Sequence, residues 1–409
     1  MISEKLNLES KKTSITNKTE RKKVEYLTFG SPIMDLIVYV DKEFTKKHDL
    51  KLDTTSHGDR DSRLFHDIEK MNPRISMGGC SYNAIRVFNW MINNTEEQGK
   101  VACLGAIGKD ILGNEYVEGL LKENIQPYLE VIESDVTAKC ATIIEGRERC
   151  HITDLGASTK ISYEYVEQHW EKLKDLKLVY TELYILCHQR SVLKDFAKLC
   201  LDKNKLFGFN FPSIGFLNAF DNEIKEMIEY GDIIFANKEE ANHFVCNVLN
   251  VGCADVSELA EILVKLPKKN KNKSRVFVVT CGPEPAYVAV YNHANNTMEF
   301  SSSYLPLMVS KDKIVDTNGA GDSFAGAFLA YYIKGHSIEN CVRAGHWAAS
   351  QIIQRNGFEL NINDSVPNDF EELFKLNSTG NYSSNNSSSQ ARVNGLEMKD
   401  TETNEIMSS

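Results

Sequence analysis

The chain has 409 residues, 42% of them hydrophobic and 25% charged, with a formal net charge of -10 at pH 7. That is enough apolar material for one large α/β core or two smaller domains, and the acidic balance offers no basic footprint for nucleic acid or an anionic membrane, which leaves a small-molecule substrate. No window of eighteen unbroken apolar residues occurs and the N-terminus has no apolar signal core, so the sequence predicts a cytoplasmic protein.

Residues 1–23 carry seven Lys/Arg against three Glu without apolar period and read as a disordered basic tail. Two β-rich runs then flank Gly30-Ser31-Pro32, and Asp35 is the only charge within them. In "SMGGCSYNAIRVFNWMI" the pair Gly78-Gly79 precedes Ala84, Val87, Phe88 and Met91, the i, i+3, i+4, i+7 stripe of a core-facing helix. "KVACLGAIGKD" is strand-like, and "DVTAKCATIIEGRERCHITDLGAS", broken by the polar stretch 145–149, predicts a hairpin able to cover a site. Beyond Trp170, short β runs alternate with helical stretches, which predicts βαβ crossovers and a mostly parallel sheet with helices on both faces. The basic "KKNKNKSR" between a helix and the strand "VFVVT" reads as a solvated loop. From Asn377 the Asn/Ser-rich stretch is too polar to bury a core, so the folded domain is expected over 24–376 and a disordered tail over 377–409. The ten cysteines form no C-x-x-C pair, which speaks against a zinc site or disulfide framework and for small buried thiols.

The chemistry concentrates in "VDTNGAGDSFAGAFLA", Val315 to Ala330. First-turn amides of a helix lack intrahelical partners and the helix dipole adds positive charge there, so such an end attracts anions. Gly319, Ala320 and Gly321 leave it nearly bare. A carboxylate at Asp322 would repel a phosphate held there unless its task is to take a proton from an attacking hydroxyl, the arrangement a phosphoryl transfer needs. An Asp-capped helix after an Asn-Gly turn accounts for the same spacing. Phe324, Ala327, Phe328 and Tyr331 form the expected buried stripe, with Gly335 as the stop.

The segment resembles the D-T-x-G-A-G-D signature of the ribokinase-like (PfkB) family of sugar and nucleoside kinases. "MGGCSYN", "GAIGKDILG" and "NKEE" are similar to three further family elements, in the family's order, and the pieces are most similar to the adenosine kinases. The resemblance implies a ribokinase-like α/β fold, a central mostly parallel sheet with a small β lid from about 34–76 and 125–158. It implies an ATP- and Mg2+-dependent kinase for the 5'-hydroxyl of a nucleoside; the sequence leaves the oligomeric state open, with a monomer favoured. Asp322 would be the base, Gly319, Ala320 and Gly321 the anion hole, and Arg149 a mobile cation for the phosphates, although a hairpin-tip arginine suits a solvated role equally. Asp35 would hold two ribose hydroxyls, Gly78 and Gly79 admit the sugar, Asn83 bond it and Tyr184 stack on the base. Asn237, Thr280, Gly282, Asp316 and Thr317 would serve the nucleotide, with Asn237 and Glu240 ordering waters around Mg2+. At Ser31, Thr55, Glu182 and Leu183 the chain departs from the adenosine kinase pattern, in the half expected to hold the base. A sugar kinase, or a non-catalytic nucleoside binder of the same fold, remains the alternative at this stage.

Overall fold

The computed structural model describes residues 23–374 except 53, 59–61, 94, 147, 174, 356, 361–364, 368, 369 and 371. The expected tails at 1–23 and 377–409 therefore lie outside the described residues, apart from Lys23. Contacts divide the chain into a large unit, Met1–Val366, and a second, Pro367–Ser409, of which only 367, 370 and 372–374 are described.

Nine strands build the large sheet, in the order Thr297–Tyr304, Ala286–Asn292, Arg275–Thr280, Ile233–Asn237, Leu206–Asn210, Leu178–Glu182, Tyr26–Phe29, Val101–Gly108, Gln126–Ile132. The seven from Arg275–Thr280 onward are parallel, and the first two form an antiparallel hairpin at the edge. Such strands are buried on both faces, which is why "LVYTE" and "RVFVVT" read as apolar runs without alternation. One face meets the helices Tyr163–Leu173, Arg190–Asp202, Asp221–Tyr230 and Val256–Val264 in a single core that includes Phe29, Phe196, Phe207, Phe209 and Phe277. On the other lie Cys80–Met91, Ala320–Ile333 and Ile338–Ile352, joined to the sheet by Tyr26–Phe88 and Phe235–Phe328 ring contacts at 4.9 and 5.5 Å.

Two of those helices are not the one-sided amphipathic elements the stripe predicts: residues 81–91 and 323–330 are buried all round. Glycine explains how they nest. A Cβ on Gly326 would lie 2.1 Å from the Ala84 carbonyl oxygen, and one on Gly345 2.8 Å from the Phe324 ring. Ala320–Ile333 ends at Gly335, φ +77°, with His336 N–H bonded to Tyr331 O and Gly335 N–H to Tyr332 O, the paired bonds of a left-handed C-terminal cap.

A second sheet of five strands, ordered Thr55–His57, Glu148–Asp154, Ala138–Glu145, Ile33–Tyr39, Arg74–Gly78, carries a small core of Leu36, Val38, Phe65, Ile68, Ile143 and Ile152. The expected hairpin is its Ala138–Glu145 and Glu148–Asp154 pair, turning at Gly146 with φ +63°. The lid boundary near 125 needs correction. Gln126–Ile132 pairs in parallel with Val101–Gly108 and is an edge strand of the large sheet. The solvated loop "KKNKNKSR" also needs correction, because Lys268 is buried in an ion pair with Asp232 and Arg275 is wholly buried. Arg275 donates to the carbonyls of Ile228, Gly231, Leu266 and Pro267, binding loop ends that would otherwise leave buried acceptors unmet.

Candidate active site

The strand Tyr26–Phe29 pairs with Val101–Gly108 on one side and Leu178–Glu182 on the other, the chain visiting the first side before the second. Connections diverge at such a point and open a crevice beyond the C-terminal strand ends. The chain leaves Phe29 through Gly30-Ser31-Pro32 and enters the other sheet at Ile33, so Asp35 arrives over that crevice from the lid.

Glu182 ends the neighbouring strand. It is buried and accepts from Ser31 N at 3.1 Å and Ser81 N at 2.8 Å, fastening the turn to the first turn of Cys80–Met91. Burial raises its pKa, the two backbone donors opposing. A residue that breaks the base-pocket pattern thus has a structural duty at the helix N-terminus, where a carboxylate is favoured.

Gly78 and Gly79 make this approach possible. A Cβ on Gly78 would lie 2.4 Å from an Asp35 carboxylate oxygen, and Gly79, at φ +97°, brings its α-carbon so near Ser31 that a Cβ would lie 2.4 Å from the Ser31 carbonyl oxygen. Tyr116 donates to the Gly78 carbonyl at 2.7 Å. Four residues on, Asn83 donates through Nδ2 to the Asp322 carboxylate at 3.1 Å, while its own Oδ1 is buried without a partner. The first turns of two long helices therefore meet through this bond.

Gly319 opens the second helix in the left-handed conformation, φ +71°, with no side-chain cap. A Cβ there would strike the Phe358 ring at 2.3 Å, whereas one on Gly321 would meet nothing within 4 Å. Burial pushes Asp322 up to about 7, with the Asn83 donor pulling down and Glu182 adding to the rise. Asp35 is likewise raised to about 7, by burial first and then by the charges of Asp322 and Asp316, with Arg86 opposing. The charge of Asp322 thus lifts the proton affinity of Asp35 across a pocket of low dielectric.

Asp316, expected on the nucleotide side, is buried and paired with Arg149, and its Oδ1 also accepts from Asn318 N at 2.9 Å. Arg149 is thus neither solvated nor free here; it ties the lid strand Glu148–Asp154 to the turn before the glycines. Thr317 is exposed beside it. Across the crevice Asn237 and Thr280 sit in register at the ends of adjacent strands. Asn237 caps the helix Lys238–His243, its Oδ1 accepting from Glu240 N at 2.8 Å while Glu240 accepts from Asn237 N at 3.0 Å. The pattern N-x-x-E is a capping box first. Glu240 is raised to about 7, by burial first, with Asp322 among the smaller causes. Gly282 turns at φ +58°, and Glu284 beyond it bonds Lys238 at 2.7 Å. Tyr184 stands in the turn Leu183–Cys187 after the strand Leu178–Glu182, its hydroxyl accepting from Ser213 N at 2.7 Å and its ring edge-on to Phe216 at 5.2 Å.

One residue that sequence reading passed over is Asn210. It ends the strand Leu206–Asn210 in register with Glu182, and its Oδ1 is buried without a partner. A polar residue closing the apolar run "LFGFN" was the available signal.

Among the described residues no group of three or more His, Cys, Asp and Glu is placed to hold a metal. The Asn237 side-chain oxygen and one Glu240 oxygen are both engaged in the capping box, so what Glu240 can still offer fits Mg2+ held through water and substrate phosphates and not a protein cage.

The pfkB family carbohydrate kinases match this chain over residues 29–364. It is 30% identical to adenosine kinase 2 of Arabidopsis thaliana over 336 residues, 81% of this chain and 94% of that one. It is 28% identical to the adenosine kinase of Saccharomyces cerevisiae over 343 residues, 81% and 95% of the two chains. Among solved structures, adenosine kinase from Schistosoma mansoni in complex with 2-fluoroadenosine superposes with a TM-score of 0.75 at 26% identity, covering 83% of this chain and 98% of that one. The adenosine kinase of Trypanosoma brucei brucei, without ligand, gives 0.73 at 28% identity over 82% and 100%.

Proposed function

Because the chain belongs to the pfkB family of carbohydrate kinases, we propose that its reaction is transfer of the ATP γ-phosphoryl to the 5'-hydroxyl of a nucleoside, adenosine giving AMP. The substrate class rests on the adenosine kinases among its relatives and on the Schistosoma mansoni enzyme's complex with 2-fluoroadenosine.

In this reading Asp322 takes the proton of the 5'-hydroxyl as that oxygen attacks. A carboxylate raised to about 7 suits the work, since it is ionised in half or more of the molecules near neutral pH and basic enough to hold the proton once taken. Asn83 steadies the carboxylate and turns its unpaired Oδ1 to a ribose hydroxyl. Asp35, acceptor-only when ionised, receives the two vicinal hydroxyls. The first-turn amides of Ala320–Ile333, over the open face of Gly321, take the phosphoryl oxygens. Arg149 exchanges Asp316 for phosphate, and Tyr184 borders the base. Asn237, Thr280 and Gly282 edge the nucleotide. Glu240 holds the water shell of Mg2+, which neutralises phosphate charge when bound.

The observation that carries the proposal is the 3.1 Å bond from Asn83 to Asp322 at the first turn of a glycine-opened helix. Asp322→Asn tests it. The exchange is expected to lower kcat by roughly a hundred- to ten thousand-fold, read as ADP release with adenosine, while ATP affinity measured by calorimetry stays within about twofold. Unchanged turnover would overturn the assignment. A parallel panel with free ribose distinguishes a sugar acceptor from a nucleoside.

A further inference from the structure

The proposed reaction leaves ten thiols without a role, and two of them stand together. Cys246 lies in the wide turn Phe244–Val248, where Leu249 N–H reaches back five residues to Phe244 O at 2.9 Å. Turns of this π type concentrate at functional positions. The chain then doubles back, Val251 N–H bonding Val245 O at 3.0 Å, and brings Cys253 over the turn. The two sulfurs are 3.7 Å apart, each within 3.6 to 3.9 Å of the Asn242 side-chain oxygen, and both residues are partly exposed.

We propose that Cys246 and Cys253 form a site of reversible thiol–disulfide exchange with small disulfides of the glutathione class. A disulfide needs its sulfurs about 2.05 Å apart, so an approach of about 1.7 Å closes the bond. The intervening loop can supply it: Gly252 has no neighbour within 4 Å of a Cβ position, and Asn250 already turns at φ +55°. In the first step the Cys246 thiolate attacks one sulfur of the small disulfide, forming a mixed disulfide and releasing one small thiolate. In the second, Cys253 gives up its proton and attacks the Cys246 sulfur, releasing the other. Two protein thiols lose two electrons and two protons, and one small disulfide becomes two thiols. Burial, the Cys246 thiol and the carboxylates of Glu258 and Asp255 push the Cys253 thiol up to about 11.

The position gives the bond a consequence. Cys253 and Asn242 line a cavity of about 350 Å³ with Lys238 and Glu239, against the helix Lys238–His243 whose first turn is the Asn237–Glu240 box. A bond from loop to turn ties down the far end of the element that ends at the crevice.

The test is chemical and independent of turnover. Full-length protein is equilibrated with oxidised and reduced glutathione in varied ratio, quenched with N-ethylmaleimide and mapped by peptide mass. The expected result is an internal Cys246–Cys253 bond, two hydrogens lighter, reversed by dithiothreitol and blocked by one equivalent of phenylarsine oxide, which bridges adjacent thiols. Cys253→Ser is expected to leave a glutathione adduct on Cys246 in place of the internal bond. The proposal is overturned if both thiols stay alkylated, or each carries its own glutathione, under conditions where the exposed Cys187 has reacted.

Discussion

Gly319 and Gly321 stand either side of Ala320, yet different forces require them. Gly319 is demanded by the fold, with a left-handed backbone and a phenyl ring where a Cβ would stand. Gly319→Ala is expected to cost on the order of 1–3 kcal/mol in denaturant unfolding. Gly321 faces open space, so the fold has no use for its bareness. Gly321→Ala is expected to leave stability within about 0.5 kcal/mol while turnover falls about tenfold or more, because a methyl group stands where phosphoryl oxygens approach the amides. The two partly buried carboxylates of the crevice set the pH response. Asp322 and Asp35 sit near 7 in the folded chain against an ordinary 3.8, so the folded state binds protons more tightly than the unfolded one. Their contribution to stability is complete below 3.8 and is lost as pH rises through about 7. Activity has the opposite slope, since the base must be ionised. Between pH 8 and 5, kcat should fall with a midpoint near 7 while the stability supplied by these groups rises. Asp35→Asn in the ligand-free protein is expected to stabilise at pH 8 by about 2–4 kcal/mol, at about 1.4 kcal/mol per tenfold change in proton affinity, and to give nothing below pH 4.

Among elements, the crossing of Cys80–Met91 with Ala320–Ile333 sets the site, because Asn83 and Asp322 ride on one helix each. Their separation is fixed at Gly326, where a backbone carbonyl occupies the place a Cβ would take. Backbone cannot rotate aside, so Gly326→Ala must spread the helices, costing about 1–3 kcal/mol and breaking the Asn83–Asp322 bond. Gly345→Ala meets the Phe324 ring first, a side chain and not backbone, and is expected to be the milder change. Thermal unfolding and kcat measured on both variants check this, and equal loss of activity in the two would refute the crossing as the cause. Other elements explain "GAIGKDILG", which runs from the strand Val101–Gly108 into the helix Ile111–Lys122. Asp110 accepts from Gly113 N and from Thr137 N and Oγ1, and a Cβ on Gly108 would lie 2.4 Å from Thr137 N, so the motif fastens a helix start to the base of the hairpin.

Across the large unit, the five-stranded sheet is docked on the crevice by Arg149 to Asp316 and by Arg74 to Glu359. Breaking the first of these by Asp316→Asn is expected to speed amide hydrogen exchange in Ala138–Glu145 and Glu148–Asp154, with adenosine and an ATP analogue restoring part of the protection; unchanged exchange would exclude the pair as a lid latch. Sequence determined a good deal here. Period and apolar runs are local, so the parallel sheet, the hairpin and the helix opened by Gly319 were all legible in residue order, as was the family through its four motifs. Partners distant in the chain were not. That Tyr26–Phe29 and Ile33–Tyr39 belong to different sheets, that Gln126–Ile132 leaves the lid, and that Lys268 and Arg275 turn inward are decided by long-range pairing. The meeting of Asn83 with Asp322, 239 residues apart, and of Arg149 with Asp316, 167 apart, likewise exists only once the helices cross and the sheet folds over. Local propensity chooses elements, but burial and charge pairing between them exist only in the assembled core, and there the site acquires its proton affinities.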